Sequence, residues 1–284
     1  MESPGINQTA QGATGNSSSS NWALQMFKRS LNKRQKLDLL VRMAGPFEGH
    51  RCLLITCGDN PGALNYHFRE AGGHWTWAEV EPERISAMEK LLGETVHHVD
   101  VDSFPFADQS FDRIVVIDVH EHLAEYGHLN REIERITAPG GLVVLTTPNG
   151  DTSLPLARLK NALGMTPEAY GHQVQGYTSE QLEEMARSVG LKPEGRGAYS
   201  RFFTESIELV INFGYVRVLS RKAESDRQEG ELAPSTSDEL QRMGGAYRLY
   251  TLMLPVLRAV SRLDGILPGD GGYAVAIAAR KVNA

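Results

Sequence analysis

The stretch Leu53-Leu54-Ile55-Thr56-Cys57-Gly58-Asp59-Asn60-Pro61-Gly62 constrains the fold most, because an apolar run ends abruptly in Gly and Pro where a helix should begin. An α/β protein makes a nucleotide-binding turn in this way. Glycine there lets the backbone approach a ligand that a Cβ would exclude, and the following helix N-terminus leaves N–H groups facing the site. A second strand ends in Trp77-Ala78-Glu79-Val80-Glu81-Pro82, roughly the length of a βαβ unit downstream. A carboxylate at that place can accept both hydroxyls of a ribose.

Strands are expected at about 51–57, 74–80, 95–100, 112–118 and 141–147, with Pro139-Gly140-Gly141 turning the chain into the fifth. A sixth is expected near 191–199, and the strand pattern returns only at Gly272 to Ala278. Alternation of strands with helices implies an α/β fold with a doubly wound, mostly parallel sheet covered on both faces. Ligands in such sheets bind beyond the strand C-termini. Residues 22–43 carry apolar positions at helical spacing, with Lys28, Arg29, Lys33, Arg34 and Lys36 on the other side, and read as one entry helix.

The string PFADQSFDRIVVIDVHEHL (Pro105 to Leu123), an amphipathic helix, and APGGLVVLTTPN (Ala138 to Asn149) together resemble the class I S-adenosylmethionine-dependent methyltransferases. Within them the chain is similar to the small-molecule branch that includes the ubiquinone and menaquinone methyltransferases, over about residues 35–200. The resemblance implies a seven-stranded Rossmann-like sheet with a final antiparallel strand, and S-adenosylmethionine as cofactor. It implies that Gly58 and Gly62 line the methionine side with Cys57 and Asp59 beside them, and that Glu79, followed by Val80, binds the ribose. Asp100 would accept from the adenine amino group, the Val101 N–H would lie beside the ring, and Asp118 would end the fourth strand beneath the methionine. A neutral adenine needs one acceptor and one donor at its edge, and an ammonium wants acceptors, so the residue types suit these roles. The family usually carries an acid at the position of Leu54 and a glycine at that of Thr56; this chain has neither.

His120-Glu121-His122 follows the fourth strand, and the Glu-His pair matches a common one in the family. The HExxH spacing of zinc hydrolases is absent, and no metal site is expected. His120 is a candidate base near the transferred methyl group, and satisfied packing is the competing reading. His172 lies in a polar, aromatic, glycine-rich segment, Met165 to Tyr177, that commonly overlies the active site in the resembling family; it is the second candidate, against a loop histidine that only bonds backbone. Because the sulfonium already activates the methyl group, the enzyme need mainly align a nucleophile and remove its proton.

The C-terminal part divides the chain further. A disordered tail is expected over 1–20, a methyltransferase core over 21–200, a helical insertion over 201–268 with a flexible linker at 221–238, and the final core strand over 269–284. Phe202, Phe203, Ile207, Val210, Ile211 and Phe213, then Leu240, Met243, Tyr247, Tyr250, Leu254 and Leu257, recur near arginines. This insertion either packs on the sheet, forms a homodimer interface, or makes an apolar lid or membrane-facing surface for a lipid-like, quinone or phenolic acceptor. Pro255 is expected to kink or interrupt its helix.

A net charge of −6 argues against a broad nucleic-acid surface. Cys52 and Cys57, the two cysteines, supply neither a disulfide framework nor four zinc ligands, which suits a reducing, cytoplasmic setting with peripheral membrane contact left open. Two other classes compete. A binding or scaffold protein on a degenerate methyltransferase fold is favoured by Leu54 and Thr56. A nicotinamide-dependent oxidoreductase shares the turn and the ribose acid, but the full GxGxxG spacing and a following Tyr-x-x-x-Lys pair are missing.

Overall fold

The computed structural model describes residues 16–58, 61–219, 244–267 and 271–283. Asp59, most of the 1–20 segment and the linker at 221–238 lie outside the described residues. The chain begins with α1 (Asn16–Arg29) and α2 (Leu31–Ala44), then β1 (Arg51–Thr56), α3 (Ala63–Glu70), β2 (His74–Glu79), α4 (Pro82–Leu92), β3 (Val96–His98) and β4 (Phe111–Ile117). There follow α5 (Gly127–Ile136), β5 (Thr137–Pro148), α6 (Pro155–Ala162), α7 (Ser179–Ser188), β6 (Leu191–Tyr199), α8 (Phe202–Leu219), α9 (Gly244–Ser261) and β7 (Ala274–Lys281).

The strands form a seven-stranded sheet in the order β3-β2-β1-β4-β5-β7-β6. β1 to β5 pair in parallel, and β7 runs antiparallel between β5 and β6. The apolar runs of β1, β4, β5 and β7 are long because both faces are covered. Alternate residues therefore feed two cores. Leu54, Val115 and Val144 pack with Leu40 of α2, Phe68 of α3 and Met88 of α4, while Leu53, Ile55, Ile114, Val143 and Ile277 pack with Ile133 of α5 and Leu182 of α7. The expected doubly wound α/β class is thus observed, with the final antiparallel strand in place.

Several local expectations change. The single entry helix is two helices, broken at Ser30, whose hydroxyl accepts from the Lys33 N–H at 3.2 Å as the N-cap of α2. The first of them begins at Asn16, inside the stretch read as a tail. Pro139-Gly140-Gly141 lies within β5, and β4 and β5 shift register there, from Phe111 opposite Thr137 to Arg113 opposite Leu142. β3 stops at His98, so Asp100 stands in a turn, its Oδ1 accepting from the Asp102 N–H. Pro255 sits inside α9 without ending it.

The helices of the expected insertion are fastened to the entry helices. Gln35 donates to the hydroxyls of Thr204 and Ser261 and accepts from the Ser200 N–H, while the Tyr250 hydroxyl donates to the Arg29 carbonyl. The buried Asp264 lies in a 3₁₀ turn after α9 and accepts from the N–H groups of Phe203 and Thr204 at 2.7 and 3.1 Å, capping α8 from sixty residues away. Asp264→Ala should therefore cost about 1–2 kcal/mol of stability, the usual worth of a carboxylate cap, with a smaller loss for Asp264→Asn. Urea denaturation measures this, and an unchanged midpoint for Asp264→Ala would show that the cap is not needed.

Candidate functional site

β1 and β2 are in register so that Thr56 lies beside Glu79. Neighbours in a parallel ladder point to the same face, and the Thr56 hydroxyl donates to Glu79 Oε2 at 2.6 Å. The N–H groups of Gly58 and Glu81 both donate to Oε1 at 2.9 Å. Glu79 has no exposed surface, and burial pushes its carboxyl above the usual carboxylate range despite these donors. A carboxylate offers about four lone-pair sites, of which three are used, so room remains for one ribose hydroxyl rather than two. The threonine in place of the family's glycine thus serves the acid of the neighbouring strand.

The turn itself is built on positive φ. Gly58 has φ of 77°, and a Cβ there would stand 2.6 Å from Glu81 Oε2, so the Glu81 carboxylate lies directly over this glycine. Gly62, with φ of 89°, begins α3, and a Cβ on it would meet Met88 and Leu91 of α4 at 3.3 Å. Its missing side chain serves helix packing. Cys57 is buried between Thr56 and Gly58, and Val80, half-buried, donates its N–H to Thr56 and accepts from His98 at its carbonyl. Asp100 is exposed and Val101 half-buried at the far end of the same row of strand ends.

Asp118 ends β4 with φ of 50°, a conformation that costs a non-glycine residue energy and concentrates at functional sites. Lys36 of α2 forms an ion pair with its Oδ2, whereas Oδ1 is buried without a hydrogen-bond partner. Lys36 therefore turns inward, not to the polar side where helical spacing places it. The next turn, His120–His122, carries a third carboxylate, Glu121, which is fully buried. Thr147 donates to Glu121 Oε2 at 3.0 Å, and Oε1 has no partner. Burial, and then the nearby Asp118, hold the Glu121 carboxyl well above its ordinary range.

The structure separates the two histidines proposed as bases. His120 has no exposed surface, lies 2.9 Å from Asn130 Oδ1 through Nε2, and has its basicity lowered by burial. This burial and the Asn130 contact favour the packing role that competes with the reading of His120 as a base. His172 lies instead against His122, ring centres 4.7 Å apart and edge to face. The Gln173 and Val174 N–H groups donate to the Glu121 carbonyl, which pins this loop over the strand ends. Gly176 makes the crossing possible, since a Cβ there would stand 2.0 Å from the Pro148 carbonyl oxygen. Two groups of potential metal-binding atoms, each within 4.8 Å, meet here: Cys57, Glu81 and His122, and Glu121, His122 and His172. Sequence reasoning gave no site role to Lys36 or Glu81 and read His122 only as half of a Glu-His pair; Glu81 adjoins Val80, which it had placed, whereas nothing along the chain signalled Lys36.

Residues 53–145 match the family model described as a methyltransferase domain. An uncharacterized methyltransferase of Mycolicibacterium vanbaalenii is 29% identical over 157 residues, covering 51% of this chain and 62% of that protein. A ubiquinone biosynthesis O-methyltransferase of Rhizobium leguminosarum bv. trifolii is 27% identical over 199 residues, covering 66% and 77%. Across the first curated relatives the chain spans about half their length. In fold it is similar to the phosphoethanolamine N-methyltransferase 2 of Haemonchus contortus, solved in complex with S-adenosyl-L-methionine, with a TM-score of 0.53 at 17% identity over 88% of this chain and 53% of that one. Residues 53–145 thus form a methyltransferase domain, and the seven-stranded sheet with its antiparallel β7 has the order of the Rossmann-like methyltransferases.

Proposed function

We propose that this chain transfers a methyl group from S-adenosylmethionine to a small, apolar acceptor of the phenolic, quinone or lipid-like kind. The observation that carries the reading is the pair of buried acceptor atoms without partners, Asp118 Oδ1 and Glu121 Oε1, beneath a loop bearing His172. Buried polar atoms are satisfied as a rule, so orphans gathered at strand ends mark a place for a ligand's donors. The ammonium of a bound methionine group supplies such donors. S-adenosylmethionine would be held at that end by Asp118, with the Gly58 turn beside its methionine part and Asp100 and Val101 at its adenine. Glu79 would shape the turn and accept one hydroxyl.

An apolar acceptor is supported by the outer surface of α9 and the turn after it. Leu249, Leu252, Met253 and Val256 recur at three and four residues and are exposed, as is Ile266, with exposed Arg248 and Arg262 beside them. Such a surface suits a lipid-borne acceptor reached by peripheral contact. Among the described residues no helix is long and apolar enough to cross a membrane. The ubiquinone enzyme among the relatives is consistent with a phenolic acceptor.

A second reading, a binding protein on a degenerate fold, draws on Lys36 bound to Asp118 and on Glu81 lying over Gly58. Calorimetry separates the two. If Lys36 holds the place of the methionine ammonium, Lys36→Met should tighten S-adenosylhomocysteine binding about tenfold, or roughly 1.4 kcal/mol. The same change should lower stability without ligand, because it strands the Asp118 charge. Weaker binding in Lys36→Met would instead place Lys36 among the cofactor's own contacts.

His172→Ala should reduce methyl transfer to a phenolic acceptor by about two to four orders of magnitude if the imidazole takes the acceptor's proton. S-adenosylhomocysteine affinity should stay as it was. Equal turnover in this variant would leave alignment as the whole of catalysis. Glu79→Ala should cost about 3 kcal/mol or more of stability, since it leaves the Thr56 hydroxyl and two N–H groups without their acceptor. A denaturation midpoint matching that of the parent chain would contradict this role.

A further inference from the structure

We infer that Cys57, Glu81 and His122 form a binding site for a zinc-class divalent cation, and that its occupation excludes the cofactor. The three residues follow β1, β2 and β4, which are neighbours in the sheet in the order β2-β1-β4. One donor atom from each lies within 4.8 Å of the others. In a tetrahedral zinc site, sulfur and nitrogen donors stand about 3.5 Å apart, so side-chain rotation alone closes the set. Thiolate, imidazole and carboxylate are the donors that zinc takes, and three of them leave the fourth position open to the cleft.

A second observation points to a ligand. His122 Nε2 and, next to it in sequence, Glu121 Oε1 are buried without a hydrogen-bond partner. Around them the site gathers the carboxyl groups of Glu79, Glu81, Asp118 and Glu121, and Lys36 is the cation paired with one of them. The alternative set, Glu121 with His122 and His172, offers no thiolate, and one oxygen of Glu121 is already taken by the Thr147 hydroxyl.

Exclusion follows from where Glu81 lies. Its carboxylate lies so close over Gly58 that a Cβ would stand 2.6 Å from Oε2, and that glycine is a surface the cofactor would approach. A cation bound to Glu81 and Cys57 fixes the carboxylate there. This second clause rests on the methyltransferase reading, whereas the cation site does not.

The test uses the full chain, freed of metal by a chelator and titrated with Co2+ and Zn2+. One equivalent of Co2+ should produce a thiolate-to-metal charge-transfer band in the near ultraviolet, and Zn2+ should displace it. Cys57→Ser should abolish the band, and His122→Gln and Glu81→Gln should each weaken binding at least tenfold. Should Cys57→Ser fail to fold by circular dichroism, the other two variants carry the test. Binding without a thiolate band, a band that survives in Cys57→Ser, or no binding at all overturns the site. One equivalent of Zn2+ should then raise the apparent Kd for S-adenosylhomocysteine at least tenfold; an unchanged Kd overturns exclusion while the site stands. If S-adenosylhomocysteine does not bind even the metal-free chain, the methyltransferase reading and exclusion fall together and the spectrum still decides the site.

Discussion

A buried carboxylate shapes the loop on which everything else at the strand ends depends. Glu79 draws the Thr56 hydroxyl and the N–H groups of Gly58 and Glu81 to itself, so the turn after β1 and the turn after β2 close around one side chain. The cost of burying the charge is offset in part by three donors, two of them from backbone that would otherwise need water. This fixes Gly58 in its left-handed conformation and brings Glu81 across it. The residue that sequence reading assigns to a ligand is also an internal clamp, and its neighbour two positions on lies over Gly58.

The departures from the family pattern at the first turn have a physical account. Leu54 points into the core beneath α2 and α3, among Val115, Val144, Leu40 and Phe68, where an unpaired acid would be costly. Thr56 points to Glu79. The acids stand instead at other strand ends, as Glu81, Asp118 and Glu121, and Lys36 of α2 pairs with one of them. The site is rewired more than it is emptied.

The sheet was legible in the sequence because its signal is local: apolar runs with a period of two, ended by Gly, Pro or an acid. Glu79 and Asp118 were found at strand ends for the same reason. Spacing along one element does not say what lies across from it, and the misplaced residues are all of this kind. Ser30 could equally sit inside a helix or cap one; only the cap bond to Lys33 decides. Lys36 was grouped with four other basic residues by helical phase, yet α2 crosses the strand ends and aims it at Asp118. His120 and His122 differ by two positions, and the 3₁₀ turn sends the first toward Asn130 and the second toward His172.

Gln35 and Lys36 are consecutive on α2, and they face different partners: Gln35 holds Thr204, Ser261 and Ser200 around α8 and α9, while Lys36 holds Asp118 at the sheet. A helix transmits small rotations rigidly over a single residue step. A rotation of α2 about its axis that loosens one of these attachments must strain or release the other. The outer helices and the turn after β4 are thereby geared together, although no residue of α8 or α9 need touch Asp118 for a load on one to be felt at the other.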